Sequence, residues 1–437
     1  MSTQITVAPN LPKHHHFQQY HIGTLTKGID MLSSNGDLWR SLRGVYSTGF
    51  SAKNISRMAP WFMEEINVFK RRLLEAVDTG ETIELEAYCL DLTLDVIART
   101  AFNIRTRVQE GYQPTWIPAL REVMSLMSFN NDPTKTWYPP AIYRKWRSNA
   151  MLQREFTQII LSTSQNHSTG SDGPKTLVAL AVKQYVEAGE AIPEDVLDSI
   201  VQNIKIFLVA GHETTGTTLT RLLYFLSVYP DKLMLVRAEH DAVLGHDPDT
   251  AAEGILANYS ILNKLTYTIA AIKETLRLFP PVSGSVREAT SPDFELVNSE
   301  NGKHFPTHGF ILNPSALTMS SDERFWYKPL DFIPERFLVQ DEKDPLYPHK
   351  NAFQPFSLGP RICIGQEMVQ LEVRMAVALV IRDLDFVAQY SADAPTFRGH
   401  PAYAATSAET TGVARTKDNL PVKVLRRVVE KTQKGEN

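Results

Sequence analysis

Apolar residues return at three- and four-residue intervals along most of the chain, the spacing that gathers them on one face of a helix. The pattern predicts helices over Asp37–Tyr46, Met58–Asp78, Glu84–Phe102, Ile117–Met127, Ala141–Thr163 and Thr176–Ala188. Further helices are predicted over Pro193–Tyr229, Asp231–Leu244, Thr266–Leu278 and Gln366–Leu384. In the longest, Pro193 suits the first helical position, Glu194, Asp195 and Asp198 complement the positive end of the dipole, and Pro230 marks the stop. Strand-like pieces are short and late: Ile311–Leu312, Phe386–Ala388 and Leu420–Leu425. Asn130-Asn131-Asp132-Pro133, Tyr138-Pro139-Pro140 and Gly170-Ser171-Asp172-Gly173-Pro174 read as turns and exposed loops. No internal repeat or low-complexity linker splits the chain. The expectation is one mainly α domain with small β-sheets over 31–437, preceded by a residual loop segment over 1–30.

Composition narrows the class without naming a chemistry. Across 437 residues, 43% hydrophobic and 22% charged content is that of a soluble globular protein, and the net charge of −4 gives no basis for a nucleic-acid partner. The only cysteines are Cys89 and Cys363, so no disulfide framework is implied and a reducing compartment fits. Cys89 falls in a predicted helix and reads as core packing. Met1 to Asp30 holds no apolar run long enough for a signal peptide or a transmembrane anchor. His14-His15-His16 raises metal binding, but reads best as a solvated surface segment.

Candidate chemistry is concentrated in Phe356-Ser357-Leu358-Gly359-Pro360-Arg361-Ile362-Cys363-Ile364-Gly365. Gly359 permits a tight turn and close approach. Arg361 sets a fixed positive charge suited to a carboxylate. Gly365 opens a predicted helix whose amides and dipole favour negative charge on the sulfur of Cys363. Taken alone, a buried structural cysteine between turn glycines would explain Cys363 as well. In the longest helix, Gly211-His212-Glu213-Thr214-Thr215 places an acid and hydroxyls directly after an apolar stretch. Gly211 would let something flat lie against the helix, and Thr214 can bond back to a carbonyl and loosen the ladder. Glu274-Thr275-Leu276-Arg277 pairs opposite charges at i and i+3 in an apolar setting, and Pro334-Glu335-Arg336-Phe337 follows. Trp39 and Arg43 share a helical face, able to offer an indole N–H and a guanidinium to one anion.

The run F-x-x-G-x-R-x-C-x-G resembles the haem-binding loop of the cytochrome P450 monooxygenases, and Gly211 to Thr215 resembles their oxygen-activating helix. Five motifs in family order cover Trp39 to Gly365. The resemblance implies a cytochrome P450 fold holding heme b, with its iron bound by the Cys363 thiolate in the loop from Phe356 to Gly365. It implies that Trp39, Arg43, Arg287 and Arg361 anchor the propionates and that Glu213 and Thr214 relay protons to activated dioxygen. Glu274, Arg277 and Arg336 are implied to form a buried network bracing the cysteine loop. Electrons would come from NADPH through a separate NADPH-cytochrome reductase, since no G-x-G-x-x-G fingerprint is present. The expected reaction inserts one oxygen atom from O2 into a small apolar substrate. Substrate contacts are expected from Phe207–Ala210, Val282–Val286 and the aromatics Phe129, Trp137 and Trp146, each of which inter-helix packing would equally explain.

Stretches such as Ile272-Lys273-Glu274-Thr275-Leu276-Arg277-Leu278 resemble filamentous-fungal members, which act in secondary metabolism. Relative to the family pattern the chain looks N-terminally shortened, lacking the usual opening helix, hairpin and membrane anchor. The endoplasmic reticulum membrane is the family's location; without the anchor the expectation is a cytoplasmic or peripherally membrane-associated chain. Two alternatives stay open: an O2-independent rearrangement or dehydration on the same scaffold, and a non-catalytic truncated haem binder.

Overall fold

The computed structural model describes residues 2–7, 11–15, 22–127, 138–165, 173–298, 300–403 and 413–427. The predicted helices form, mostly with ends moved by one or two residues: α1 Gly36–Ser47, α2 Ala59–Thr79, α3 Leu85–Phe102, α4 Trp116–Met127 and α5 Pro139–Gln165. They continue as α6 Leu177–Ala188, α7 Glu194–Val228, α8 Pro230–Leu244, α9 Thr266–Leu278 and α10 Gln366–Val380. Pro193 is not the first helical residue; it is the extended N-cap, with φ −59° and ψ 148°, and Glu194 and Asp195 occupy the first turn. α10 ends at Val380 rather than Leu384, because Leu384 begins a strand.

α7 is 35 residues long, about 52 Å at 1.5 Å per residue. It is buried on nearly every side from Ile200 to Leu226, as is α3, so these two helices form the centre of the molecule. Small residues set how closely they pack. A Cβ on Gly216 would lie 3.0 Å from Leu90 Cδ2, and one on Gly211 would lie 2.8 Å from Ile97 Cγ1. Gly211 therefore lets the neighbouring helix approach, a packing role its sequence did not suggest. Thr93 Oγ1 donates to the His212 carbonyl at 2.8 Å and pins the crossing.

Two small sheets complete the fold. β1 Thr82–Glu84, β4 Leu384–Ala388 and β5 Pro421–Arg426 form an antiparallel sheet in the order β1-β5-β4, with Ile83 opposite Val422 and Phe386 opposite Val424. β2 Glu295–Val297 and β3 His304–Pro306 form a hairpin. Ile311–Leu312 is not a strand: Leu312 makes a single bridge to Arg287, and Ile311 is exposed. Ile5 and Leu11 pack with Leu296 and Leu312 in a satellite apolar cluster, so the N-terminal segment covers the hairpin. Cys89 is fully buried in the main core. Among the described residues no helix is long and apolar enough to cross a membrane.

Candidate functional site

The backbone N–H of Cys363 donates to the Phe356 carbonyl at 2.9 Å, closing the predicted run into a loop just before α10. Ser357 and Gly359 take left-handed backbone, φ 63° and 73°. At Gly359 a side chain would also collide with the Thr6 carbonyl, so the short helix Ser2–Thr6 seats directly on the loop. Cys363 is solvent-accessible yet enclosed by protein, so its thiol faces an interior space. Burial raises the thiol pKa, opposed by hydrogen bonds from the Gly365 and Gln366 amides and by the charge of Arg43. The expected help from the helix N-terminus is thus present but outweighed; coordination to a metal deprotonates a thiol outright.

Cations converge beside this loop. Arg287 is fully buried, and none of its three guanidinium nitrogens has a hydrogen-bond partner among the described residues. Burial pushes its pKa down to about 10. Arg361 donates from Nη2 to Asn35 Oδ1 at 3.0 Å and stacks 4.2 Å from the Trp39 ring centroid, leaving Nε and Nη1 without partners among the described residues. Burial and the charges of Arg287 and Arg43 bring Arg361 to about 10 as well. Arg43 donates to the Ile362 carbonyl at 3.0 Å. The W-x-x-x-R pair thus divides its labour: Trp39 holds Arg361, and Arg43 holds the cysteine loop.

Lys13, which no motif of the chain singled out, joins the cluster. It is buried, bridges Arg287 through the backbone and hydrogen-bonds Ser285. Burial, then Arg287 and Arg361, drive its pKa well below the lysine value. Asn35 ties it in by accepting from Lys13 N–H at 2.8 Å and donating to its carbonyl at 3.1 Å. Buried cations with unsatisfied donors are costly unless an anion completes them. A flat group carrying two carboxylates at one edge and a thiophilic metal at its centre fits this donor set, and haem is such a group.

On α7 the buried stretch is interrupted at Ala210, Gly211 and Thr214, neighbours on one helical face. Thr214 Oγ1 donates back to the Ala210 carbonyl at 2.7 Å, as its position suggested. Glu213 points elsewhere. It is buried and paired at 3.2 Å with Arg415, while its Oε2 has no partner among the described residues. Arg415 belongs to a segment without periodicity, and sequence reasoning missed it. Glu86, from α3, completes this pocket by accepting from Thr416 N–H at 3.0 Å and Oγ1 at 2.8 Å. Burial raises the Glu86 pKa against the pull of Arg415 and Thr416.

The charge network is as buried as its apolar setting implied. Glu274 receives Arg277 Nε at 2.7 Å and Nη2 at 2.9 Å, and Arg336 Nε at 3.1 Å. Arg277 also donates to the Ser320, Pro329 and Asp331 carbonyls and Arg336 to those of Tyr327 and Lys328, while the Ile333 N–H donates to Glu274. The network clamps the segment 320–336. Its link to the cysteine loop is indirect, through Phe337 packed 5.0 Å edge-on against Phe353.

Of the expected substrate contacts, Phe207 is held in the core by Tyr46 and Phe50 at 4.8 and 5.5 Å. Only Ala210 in that stretch is open. Val282 and Ser283 are exposed. Trp146 lies on the outer surface beside Tyr143, 66% exposed, and Phe129 and Trp137 fall outside the described residues.

A family model described as Cytochrome P450 matches residues 10–408. Cytochrome P450 monooxygenase polC of Polytolypa hystricis is 28% identical over 398 residues, covering 90% of this chain and 70% of its own. Cytochrome P450 monooxygenase acrF of Aspergillus aculeatus is 30% identical over 404 residues, covering 87% and 78%. Among crystal structures, the cytochrome P450 CYP102L1 superposes with a TM-score of 0.77 at 18% identity, over 97% of this chain and 90% of its own. The cytochrome P450DA heme domain gives 0.77 at 19%, over 98% and 86%. At such identity the superpositions speak for the fold alone.

Proposed function

Because the chain belongs to the cytochrome P450 monooxygenase family, we propose that it inserts one oxygen atom from O2 into a small apolar substrate in fungal secondary-metabolite biosynthesis. The balance is RH + O2 + 2 H⁺ + 2 e⁻ → ROH + H2O, or the corresponding epoxidation. The electrons come from NADPH through a separate NADPH-cytochrome reductase. The observation that carries this reading is the open face at Ala210, Gly211 and Thr214 on an otherwise buried helix, which provides a hydroxyl where oxygen chemistry needs a proton. An O2-independent isomerase or dehydratase has no use for that hydroxyl.

The haem, when bound, supplies the redox centre and O2 activation, and a thiolate ligand favours O–O cleavage. Every other role falls to the chain. Cys363 Sγ ligates the metal, and the Gly365 and Gln366 amides hold its negative charge. Arg287 and Arg361 meet the two propionates with the nitrogens that lack partners; Trp39 orients Arg361. Thr214 Oγ1 holds the proton to be delivered. Glu213 stands one residue, about 100°, around the helix, and must leave Arg415 to resupply that proton. Glu274, Arg277 and Arg336 fix the segment preceding the loop.

The test is the carbon monoxide difference spectrum of the reduced, haem-loaded chain, followed by turnover with NADPH, reductase and ¹⁸O2. A long-wavelength Soret band and one ¹⁸O atom in product are expected. A short-wavelength band would remove Cys363 as the ligand; product without ¹⁸O would remove the monooxygenase reading.

A further inference from the structure

The triplet His14-His15-His16 takes no part in the chemistry above, yet the fold gives two of its members a partner. The N-terminal segment pairs with the stretch that carries Arg287: His14 N–H donates to the Val286 carbonyl at 3.4 Å, and Glu288 N–H donates to the Pro12 carbonyl at 3.2 Å. That register brings a carboxylate 273 positions further along the chain against adjacent imidazoles. His15 Nδ1 lies 2.8 Å from Glu288 Oε2, and His14 Nε2 lies 4.0 Å from the same oxygen. The three ligand atoms all fall within 4.8 Å of one another. The two rings are stacked, with centroids 4.3 Å apart.

We propose that His14, His15 and Glu288 form a binding site for a divalent transition metal, with Zn²⁺ as the fitting ion. Two imidazoles and one carboxylate are a recurrent zinc donor set that leaves a fourth position for water. The carboxylate is available in its ligating form: partial burial works against its charge, but hydrogen bonds from His15 and the nearby imidazoles lower the Glu288 pKa below the usual value. His15 is 65% exposed and leaves the site open to exchange with solvent. Glu288 follows Arg287 and His14 follows Lys13. A bound ion therefore cross-links the N-terminal segment to the stretch holding Arg287, and haem is retained longer when the site is filled.

The experiment uses the full haem-loaded chain, treated with chelator and titrated with ZnCl2 by calorimetry. Haem transfer to an excess of apomyoglobin is followed in parallel. One Zn²⁺ per chain is expected, with slower haem loss. His15→Ala and Glu288→Gln each lower the affinity by one to two orders of magnitude, the usual scale for a disturbed metal site. His304→Ala removes the other exposed histidine–carboxylate pair, His304–Glu295 at 2.8 Å, and leaves Zn²⁺ binding unchanged. Unaltered binding in His15→Ala and Glu288→Gln, both showing a normal haem spectrum, overturns the site. Loss in His304→Ala alone places the ion elsewhere and overturns it equally.

Discussion

The carboxylate of Glu213 lies 3.2 Å from the guanidinium of Arg415, 202 positions further along the chain. The pair is asymmetric, Glu213 being 3% exposed and Arg415 31%. Arg415→Gln leaves a buried carboxylate without its cation. Breaking a wholly buried pair costs about 3–5 kcal/mol, and screening at the exposed partner brings the expected loss to about 2 kcal/mol. Thermal unfolding is the measurement; melting within a degree of the parent would mean that the pair adds nothing to the fold.

Thr214→Ala keeps the helix, because the hydroxyl bonds only to its own helix at Ala210. Loss of a positioned proton donor is expected to lower product formed per NADPH by roughly tenfold or more, with reduced oxygen species making up the difference. Unchanged product per NADPH would favour the O2-independent alternative.

Glu274→Ala strands two buried guanidiniums, Arg277 and Arg336, 2% and 0% exposed. The expected cost is about 3–5 kcal/mol, visible by calorimetry as early melting of the haem-loaded protein. Melting within a degree of the parent would mean that the main-chain carbonyls alone satisfy both arginines.

Glu372, on α10, is fully buried with neither oxygen partnered among the described residues, and burial raises its pKa well above the ordinary 4.5. The folded state therefore keeps a proton that the unfolded chain releases above pH 4.5. By linkage, stability contributed at this site is full below that pH and falls as pH rises toward the folded value. Glu372→Gln should flatten this decline and melt higher at neutral pH. An unaltered slope would assign the pH dependence to other groups.

Lys13→Met should act in opposite directions on the two forms of the protein. Without haem it removes a buried cation held against Arg287 and Arg361 and raises the melting temperature. With haem it removes a countercharge and speeds transfer to apomyoglobin by about tenfold, one interaction of roughly 1.4 kcal/mol. Parallel effects in the two forms would show that Lys13 only packs.

What could be read from the chain and what could not divide along contact range. The cysteine loop, the α7 motif and the Glu274–Arg277 pair are continuous segments whose chemistry needs only neighbours, so their residues announce them. Asn35 meets Arg361 across 326 positions and Arg415 meets Glu213 across 202; neither lies in a periodic pattern, and only folding joins them. The packing role of Gly211 was not legible because a missing side chain serves a ligand and a packed helix alike, and nothing in the sequence shows Ile97 beside it. The short strands β1, β2 and β3 span three residues each, too few for alternation to register. The end of α10 was misplaced because Leu384, which opens β4, falls at helical spacing from Val380.

The gathering of Lys13, Arg287 and Arg361 makes cofactor supply a determinant of how much protein a cell accumulates. A chain whose interior positive charges await an anion is stabilised by mass action, gaining about 1.4 kcal/mol for each tenfold of free haem above its dissociation constant. Molecules made faster than haem is synthesised spend longer partly open, where proteases remove them. Expression yield should then follow the haem precursor in the medium more closely than it follows messenger level.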